Sequence, residues 1–359
     1  MIKAALVGCG MVADQHVSQI QRVSGAQVVG VCDTEPLMAR QLADRFHVPA
    51  WFSDVSEMLK SVRPDVVHVT TPAQTHFPLG KLGLEAGCHV YLEKPFTVTA
   101  PQAEELVGLA QSLGLKITVG HNHQFDPEVV RMRDLVKSGF LGGAPTHIDC
   151  AQCFSHDDPT YGKALLGDRT HWVRTLPGSL LQNLISHGLA KIAEFLPAGR
   201  PTVIAHTYSS AYLKSLGQTD VIDELRAIIH AGDNTTAYFT FSTQLGAGNS
   251  QICLHGKKTS LIADSTNRML IPIRPTGYKS YLRFFLAPLI QAKQYRQNSW
   301  HNVKQFLHKD FHMDYGMKTL IQAFYQCIQD KTPPPIPYQE ILTTAWMMDD
   351  IFTQIRKTS

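Results

Sequence analysis

Long apolar runs are missing from this chain of 359 residues. No stretch approaches the roughly 18 uninterrupted apolar residues of a membrane-spanning helix, so we expect no transmembrane segment. The chain opens directly on a strand-like run, Ile2 to Val7, without the charged region and apolar core that mark a signal peptide. We therefore expect a cytoplasmic protein.

Cysteine is also scarce, with seven residues that are scattered apart from Cys150 and Cys153. An odd and scattered set does not fit a disulfide framework. A zinc site needs three or four convergent ligands, and this pair has no second pair at metal spacing. The pair lies at i, i+3 on a predicted strand, where the two thiols point to opposite faces. The sequence therefore predicts no metal site.

A strong charge of one sign is lacking as well. The formal net charge is +3, from 33 Lys and Arg against 30 Asp and Glu, which argues against a polybasic nucleic-acid binder. With 44% hydrophobic and 18% charged residues the composition is that of a folded globular protein. At about 100–200 residues per domain, the length favours two domains.

The basic residues are unevenly distributed along the chain. Residues 265–309 contain eight Lys and Arg and no Asp or Glu, which leaves 25 bases against 30 acids elsewhere. Apolar residues recur there at helical spacing, and Pro288 is expected to kink or end the helix. This segment either packs on a sheet or across a dimer, or it meets an anionic partner such as a nucleotide diphosphate, an acidic glycan or a membrane surface. We favour the packing interpretation.

Short β-branched runs alternate with amphipathic segments over the first 120 residues. The predicted strands are Ile2–Val7, Gln27–Cys32, Asp65–Thr70, His89–Leu92 and Lys116–Val119. The helical segments between them include Pro36–Phe46, Phe77–Ala86 and Ala100–Leu113. Near-continuous apolar strands separated by helices predict an α/β fold with a doubly wound parallel sheet.

The pattern changes beyond about residue 125. A predicted helix, Pro127–Ser138, leads to a strand at Thr146–Phe154, and an apolar helix follows at Ser179–Leu196. Six successive strands lie between Pro201 and Ile273, which predicts a large, mostly antiparallel open sheet. We therefore expect a nucleotide-binding domain at 1–123 and an α+β substrate and dimerisation domain at 124–359, whose last helix packs back on the first.

A glycine-rich turn joins the first strand to the first helix. The residues Gly8, Cys9, Gly10, Met11, Val12 and Ala13 form a G-x-G-x-x-A pattern. The first glycine permits the tight turn, the second lets the backbone approach a pyrophosphate, and the alanine lets the helix pack close to the sheet. The helix N-terminus supplies amide donors to the phosphates. The pattern predicts a dinucleotide site.

Asp33 strengthens this prediction, because it ends the second strand 20 residues beyond Ala13. An acid at this point accepts hydrogen bonds from the adenosine ribose hydroxyls. It would repel a 2′-phosphate, and no Arg immediately follows it. The sequence therefore favours NAD over NADP.

Two further groups carry candidate chemistry. Glu93-Lys94-Pro95 follows a strand at the carboxyl edge of the sheet, where the Lys94 ammonium could stabilise charge on a substrate oxygen. Asn183 and His187 are four residues apart on an apolar predicted helix. His187 is either a hydrogen-bonded core residue or a general base that Asn183 orients.

Together these residues resemble the glucose–fructose oxidoreductase and inositol 2-dehydrogenase family. The resemblance rests on the glycine turn, Asp33, Thr71-Pro72 with His76, Glu93-Lys94-Pro95, Asn122-x-x-Phe125-x-Pro127 and the helix with Asn183 and His187. It implies an N-terminal Rossmann domain, a nicotinamide cofactor contacted by Thr71, Pro72, His76, Glu93 and Asn122, and a homodimer or tetramer built through the C-terminal sheet. It also implies that Lys94 and His187 act on a hydroxyl of a sugar, cyclitol or nucleotide sugar.

Three positions depart from the family pattern. Asn183 stands where an Asp is common, Gln124 where many members have Arg, and Ile185 where a small residue is usual. An asparagine lacks the charge that stabilises an imidazolium. Two other functions remain open: a glycoside hydrolase that recycles NAD, and a sensor that binds NAD without catalysis. We predict an NAD-dependent oxidoreductase acting on CH–OH groups.

Overall fold

The computed structural model describes residues 1–155, 166–232, 234–245, 250–275, 277–307 and 315–358. The chain forms two compact units, each assembled from separate stretches of sequence. The first comprises Met1–Asn122, Gln182–Ser186 and Gly316–Asp349, and the second comprises His123–Leu181, His187–Tyr315 and Asp350–Ser359. The predicted division of the chain into a domain at 1–123 and a domain at 124–359 stays a prediction.

The first unit contains a parallel sheet of six strands. They are β1 (Ile2–Val7), β2 (Ala26–Cys32), β3 (Trp51–Phe52), β4 (Val66–Val69), β5 (His89–Leu92) and β6 (Ile117–Val119). Their order, β3-β2-β1-β4-β5-β6, reverses direction between β1 and β4. The predicted doubly wound parallel sheet is confirmed, and ligands of such sheets bind at this reversal, beyond the carboxyl ends of the strands.

Helices connect these strands and cover the sheet. They are α1 (Met11–Gln21), α2 (Pro36–Phe46), α3 (Val55–Val62), α4 (His76–Glu85) and α5 (Ala100–Ser112). The periodicity had indicated neither β3 nor α3, because two and eight residues are too short to establish a period. Asp54 caps α3 by accepting a hydrogen bond from the Glu57 backbone N–H at 2.7 Å.

The second unit contains a seven-stranded sheet that is mostly antiparallel, as the sequence predicts. Its strands are β7 (His147–Cys153), β8 (Thr202–Tyr208), β9 (Glu224–Ala231), β10 (Thr235–Ser242), β11 (Gln251–His255), β12 (Ser260–Asp264) and β13 (Met269–Ile273). Their order is β13-β12-β11-β7-β10-β9-β8, and β7 with β10 is the single parallel pair among the described pairings.

Seven further α-helices are described. They are α6 (Pro127–Lys137), α7 (Ser179–Leu184), α8 (Ser186–Ala193), α9 (Ala211–Ser215), α10 (Ser280–Leu307), α11 (Tyr315–Gln329) and α12 (Tyr338–Thr358). The long helix α10 continues through Pro288, so the prediction that this proline could end the helix is wrong. The carbonyl that loses its partner belongs to Phe284, whose exposed position lets water replace the bond.

The prediction of a single helix from Ser179 to Leu196 is wrong in two respects: the helix is interrupted at Ile185, and it ends at Ala193. Residues 182–186 belong to the first compact unit, where the Gln182 side-chain amide donates to the Val98 carbonyl at 2.8 Å. Residues from 187 onward belong to the second unit. A break lets each part pack within its own unit.

Candidate functional site

The glycine turn after β1 shows why each small residue is needed. Gly8 has φ +95°, and a Cβ there would lie 2.7 Å from the Thr71 Cγ2 atom, so neither the conformation nor the space admits a side chain. A Cβ on Gly10 would meet no described atom within 4 Å, so packing does not explain that glycine. Ala13 is fully buried, as close packing of α1 on the sheet requires.

The start of α1 is suited to an anion. Its N-cap residue is Gly10, which has no side chain that could cap the first turn. Met11 and Val12 therefore open a helix whose amide donors and dipole face the space beside Gly10. Open space beside Gly10 together with an uncapped helix N-terminus fits the pyrophosphate of NAD.

Asp33 lies against this turn, as its spacing in the sequence predicts. Its carboxylate accepts hydrogen bonds from the Cys9 backbone N–H at 2.7 Å and from the Glu35 backbone N–H at 2.9 Å. A carboxylate has about four acceptor positions, so two remain for the ribose hydroxyls. The structure thus brings Gly8, Gly10 and Asp33 to the same end of the sheet.

His76 connects two loops at this edge. Its ring nitrogens lie 2.8 Å from the Thr71 carbonyl and 2.8 Å from the Pro95 carbonyl. Burial lowers the pKa of His76, although both carbonyls favour the charged form. The imidazole thereby fixes Thr71-Pro72, next to the glycine turn, relative to the end of Glu93-Lys94-Pro95. Its contacts give it a positioning role.

Glu93 is buried and fully engaged. Its Oε1 accepts a hydrogen bond from His16 Nε2 at 2.9 Å, and its Oε2 accepts one from the Lys94 backbone N–H at 3.0 Å. Burial opposes ionisation, but the His16 hydrogen bond and the neighbouring charges hold the pKa of Glu93 below its usual value. A Cβ on Gly120 would lie 2.6 Å from Oε1, so the glycine makes room for the carboxylate.

Sequence reasoning missed a buried chain of hydrogen bonds behind Glu93. His16 Nδ1 lies 3.0 Å from His68 Nδ1, and His68 Nε2 lies 2.7 Å from the Tyr325 hydroxyl. Burial and the neighbouring His16 keep the pKa of His68 well below its ordinary value, so this imidazole is neutral. These contacts form a continuous buried chain from the Tyr325 hydroxyl through His68 and His16 to the Glu93 carboxylate.

One signal in the sequence could have revealed this network. His68 interrupts the otherwise apolar strand β4, and a buried histidine needs hydrogen-bond partners. The Tyr91 ring stacks on it with centroids 4.7 Å apart. The Tyr91 hydroxyl donates to the Asn122 side-chain oxygen at 3.1 Å, which fixes another residue that the resemblance assigns to the cofactor.

The Lys94 ammonium projects from the end of β5 and is held by Asn183. Its Nζ donates to the Asn183 carbonyl at 3.0 Å and lies 3.4 Å from the Asn183 side-chain oxygen. Burial lowers the pKa of Lys94, and the adjacent Glu93 charge partly opposes this. The structure therefore brings Glu93, Lys94 and Asn183 together. An effect of Asn183 on His187 stays a prediction.

His187 lies near the start of α8 in the second compact unit. Its ring packs edge-on against that of His123, with centroids 4.4 Å apart, and His123 Nδ1 lies 2.9 Å from Asp126 Oδ2. The next residue, Gly188, donates its N–H to the Gln152 side chain at 3.0 Å. Lys94 and His187 belong to different units, and their catalytic pairing stays a prediction.

Gln124, at a position where the resemblance implies an arginine in many members, lies against Glu194. Its side-chain amide donates to the Ala190 carbonyl at 3.2 Å and lies 3.4 Å from the Glu194 carboxylate. Arg133 binds that carboxylate as well, and it donates to the Gln124 carbonyl at 2.7 Å. Arg133 thus supplies a guanidinium beside Gln124.

Within the described residues, no group of three or more His, Cys, Asp or Glu side chains is arranged to hold a metal ion. The seven cysteines all lie in the described part of the chain and form no disulfide there. None of the described helices is long and apolar enough to cross a membrane.

Comparison with known proteins matches the first third of the chain to a family. Residues 2–121 match the GFO/IDH/MocA family, described as an oxidoreductase family with an NAD-binding Rossmann fold. These residues contain the six-stranded parallel sheet. The resemblance inferred from the motifs is therefore confirmed, and the family's description agrees with the predicted cofactor.

Individual proteins of known sequence are also similar to this chain. D-glucoside 3-dehydrogenase of Escherichia coli is 35% identical over 142 residues, which are 39% of this chain and 40% of the relative. An uncharacterised Escherichia coli oxidoreductase, YhhX, is 28% identical over 84% of this chain and 81% of its own length. The chain thus matches about 40% of the length of the first of these relatives.

Solved structures agree with the fold over the whole chain. The WlbA dehydrogenase from Bordetella pertussis, in complex with NADH and UDP-GlcNAcA, has a TM-score of 0.78 at 17% identity. The match covers 100% of this chain and 97% of that one. At this identity the likeness establishes the fold alone, including the second, mostly antiparallel sheet.

Proposed function

We propose that this protein is an NAD-dependent oxidoreductase that transfers hydride between nicotinamide and a hydroxyl or keto carbon. The observation that carries the proposal is the Lys94 ammonium, held on Asn183 at the carboxyl end of β5. That edge of the sheet also carries the glycine turn and Asp33. A dinucleotide site and a cation at one sheet edge suit a reaction in which negative charge develops on a substrate oxygen.

The roles of the residues follow from their chemistry. NAD, when bound, supplies the hydride acceptor, and the Gly8–Ala13 turn and Asp33 would hold its pyrophosphate and ribose. Lys94 donates a hydrogen bond to the reacting oxygen and stabilises its negative charge. His187 accepts the hydroxyl proton as general base.

The names of relatives indicate the class of substrate. They include dehydrogenases of a D-glucoside, of inositol and of UDP-N-acetylglucosamine. We therefore propose a sugar, a cyclitol or a nucleotide sugar as the substrate of this chain. The motifs alone do not distinguish among these three.

A substrate screen tests the proposed function. Sugars, cyclitols and UDP- or GDP-sugars are incubated with NAD, and NADH is followed by its absorbance. Cleavage of a glycoside without net NADH would instead indicate a hydrolase that recycles NAD. Binding of NAD without any turnover, unchanged by Lys94→Met, would indicate a sensor.

We also propose a cytoplasmic homo-oligomer that forms through the exposed face of the second sheet. Ile204, Ile228 and Tyr238 are opposite one another on β8, β9 and β10 and are 69%, 51% and 51% exposed. Contiguous exposed apolar side chains on a sheet favour association. Light scattering should show an oligomer that Ile228→Asp converts to monomer, whereas a monomeric wild-type chain would contradict this proposal.

A further inference from the structure

The helix α10 packs on the second unit through polar side chains. The Asn298 side chain, 2% exposed, accepts from the Leu270 N–H at 3.1 Å and donates to the Leu270 carbonyl at 2.9 Å. The Gln294 side-chain amide donates to the Pro272 carbonyl at 2.9 Å, and that of Asn302 donates to the Asn267 carbonyl at 3.2 Å. Amide side chains therefore attach α10 to β13 and to the turn before it.

Eleven large apolar side chains of the same helix are exposed. We call them the α10 outer face: Tyr281, Leu282, Phe284, Phe285, Leu289, Ile290, Tyr295, Trp300, Val303, Phe306 and Leu307. Phe284, Phe285 and Leu289 are 76%, 71% and 65% exposed. This reverses the usual arrangement, in which the apolar side of a helix faces the core. The helix itself packs on β13, as expected, whereas packing of its apolar residues across a dimer stays a prediction.

The charged side chains of α10 are all basic. Four exposed bases lie on the helix: Arg283, Lys293, Arg296 and Lys304. The whole segment 265–309 contains no acid, although its last base, Lys309, lies outside the described residues. Four bases that have no acid in their own segment are available to an anionic surface.

We propose that α10 docks this protein on an anionic membrane surface. A helix that exposes Phe, Leu, Trp and Tyr together with Lys and Arg has the composition of one that lies in the lipid headgroup region. Twenty-eight residues at about 1.5 Å each give a helix about 42 Å long. Self-association of this face in a two-fold dimer would bring bases against bases, which disfavours a second copy as the occupant.

The position of the polar side chains supports the same occupant. A helix bound through Asn298 and Gln294 can keep its place on the protein while its exposed apolar residues enter the headgroup region. The exposed Lys and Arg of α10 can extend to lipid phosphates while their carbon chains lie along apolar surface. This proposal does not depend on the oxidoreductase activity, since it concerns a different surface.

Vesicle binding by the full chain tests the proposal. Wild-type protein is mixed with phosphatidylcholine vesicles, with or without an equal amount of phosphatidylglycerol, and bound protein is separated by flotation. We expect at least tenfold stronger binding to the anionic vesicles, reduced by salt, and a blue shift of tryptophan fluorescence that Trp300→Phe diminishes.

Two variants and a matched control identify the surface. R283Q/K293Q/R296Q/K304Q and F284S/F285S/L289S should each lose most of the binding to anionic vesicles. K60Q/K137Q/K214Q/K257Q removes the same charge from exposed bases elsewhere and should bind like wild type. Equal effects of the two charge variants would overturn the role of α10.

Other results would also overturn the proposal. Equal binding to both kinds of vesicle would contradict an anionic partner. Absence of binding, together with an oligomer in lipid-free solution that F284S/F285S/L289S dissociates, would show that a second copy covers the α10 outer face. If wild type does not bind vesicles and F284S/F285S/L289S leaves the oligomeric state unchanged, the membrane proposal is excluded as well.

Discussion

The ammonium group of Lys94 lies between two residues that can adjust its acidity. Glu93 precedes it in the chain and favours its charged form, and Asn183 accepts its hydrogen bond without contributing charge. Burial already lowers the pKa of Lys94 below its ordinary value. An activity that needs the charged lysine should therefore decline toward alkaline pH, over a range below the usual lysine range.

Two substitutions should move this alkaline decline in opposite directions. Glu93→Gln removes the negative charge, so the pKa of Lys94 falls and the decline moves to lower pH. Asn183→Asp adds a negative charge at the ammonium, so the decline moves to higher pH, by about 1–3 pH units for a close pair. The measurement is the pH dependence of kcat/KM. Displacements in the same direction, or none, would contradict the role of Lys94.

Tyr325 should stabilise the fold through its hydrogen bond to His68. Tyr325→Phe removes the hydroxyl and leaves a buried imidazole nitrogen without its partner, which costs about 1–3 kcal/mol of unfolding free energy. Urea denaturation measures the change. Tyr278→Phe, at a position 53% exposed, is the matched control and should leave stability unchanged. A Tyr325 variant as stable as that control would show that the network contributes nothing.

Local spacing revealed the cofactor residues but not the residues behind them. Gly8, Gly10 and Asp33 follow a short pattern because one strand, one turn and one helix fix their separation. The bond between His68 and Tyr325 joins positions 257 residues apart, and no local pattern encodes it. The contact of Asn183 with Lys94, 89 residues away, could not be predicted from sequence for the same reason.

Among the elements, α8 depends on a glycine to approach the second sheet. A Cβ on Gly188 would lie 2.4 Å from the Phe239 ring and 2.8 Å from the Gln152 side-chain oxygen. Gly188→Ala should therefore destabilise the protein by about 1–3 kcal/mol through overpacking. Gly108→Ala, inside α5 where a Cβ meets no described atom within 4 Å, should stabilise by up to about 1 kcal/mol. Thermal or urea unfolding compares the two, and equal effects would contradict this account of packing.

Element boundaries were predictable where apolar periodicity was sustained. The helix Pro36–Phe46 and the strands Ile2–Val7 and His89–Leu92 have the predicted limits. The break at Ile185 was not predictable, because the apolar pattern continues through it while the packing environment changes. The residues through which α10 contacts the protein could not be predicted from sequence either, because apolar periodicity predicts that the apolar residues face the core.

For the molecule as a whole, Glu128 should make stability depend on pH. It is 1% exposed in the first turn of α6. Burial, and next the Asp126 charge, raise the pKa of Glu128 to about 7. The folded protein therefore binds this proton more tightly than the unfolded chain, and the stabilisation is lost as pH rises from about 4.5 through 7.

Glu128→Gln should remove most of this dependence. The variant should gain on the order of 2–3 kcal/mol over wild type at pH 8 relative to pH 5, since a neutral side chain needs no ionisation. Urea denaturation at the two pH values provides the measurement. Glu57→Gln, at an exposed position, is the control and should follow wild type. An equal slope for wild type and the Glu128 variant would refute this source of pH dependence.

Both sheets of the molecule could be predicted from sequence, whereas the grouping of distant segments could not. Alternating strands and helices specify the parallel sheet, and successive strands specify the open one. Residues 316–349 belong to the first compact unit, where Trp346 donates to the Glu104 carboxylate at 2.7 Å and the Tyr338 hydroxyl accepts from the Ile117 N–H at 3.3 Å. Such contacts depend on tertiary packing, which periodicity does not describe.

The most direct test of the proposed function is NADH formation by wild type, Lys94→Met and His187→Ala with the best substrate from the screen. We expect turnover by wild type, a loss of about 10²–10⁴-fold in His187→Ala, and a comparable or larger loss in Lys94→Met. NAD affinity should be preserved in His187→Ala, because the glycine turn and Asp33 are unchanged. Full turnover by either variant, with NAD bound normally, would contradict the oxidoreductase mechanism.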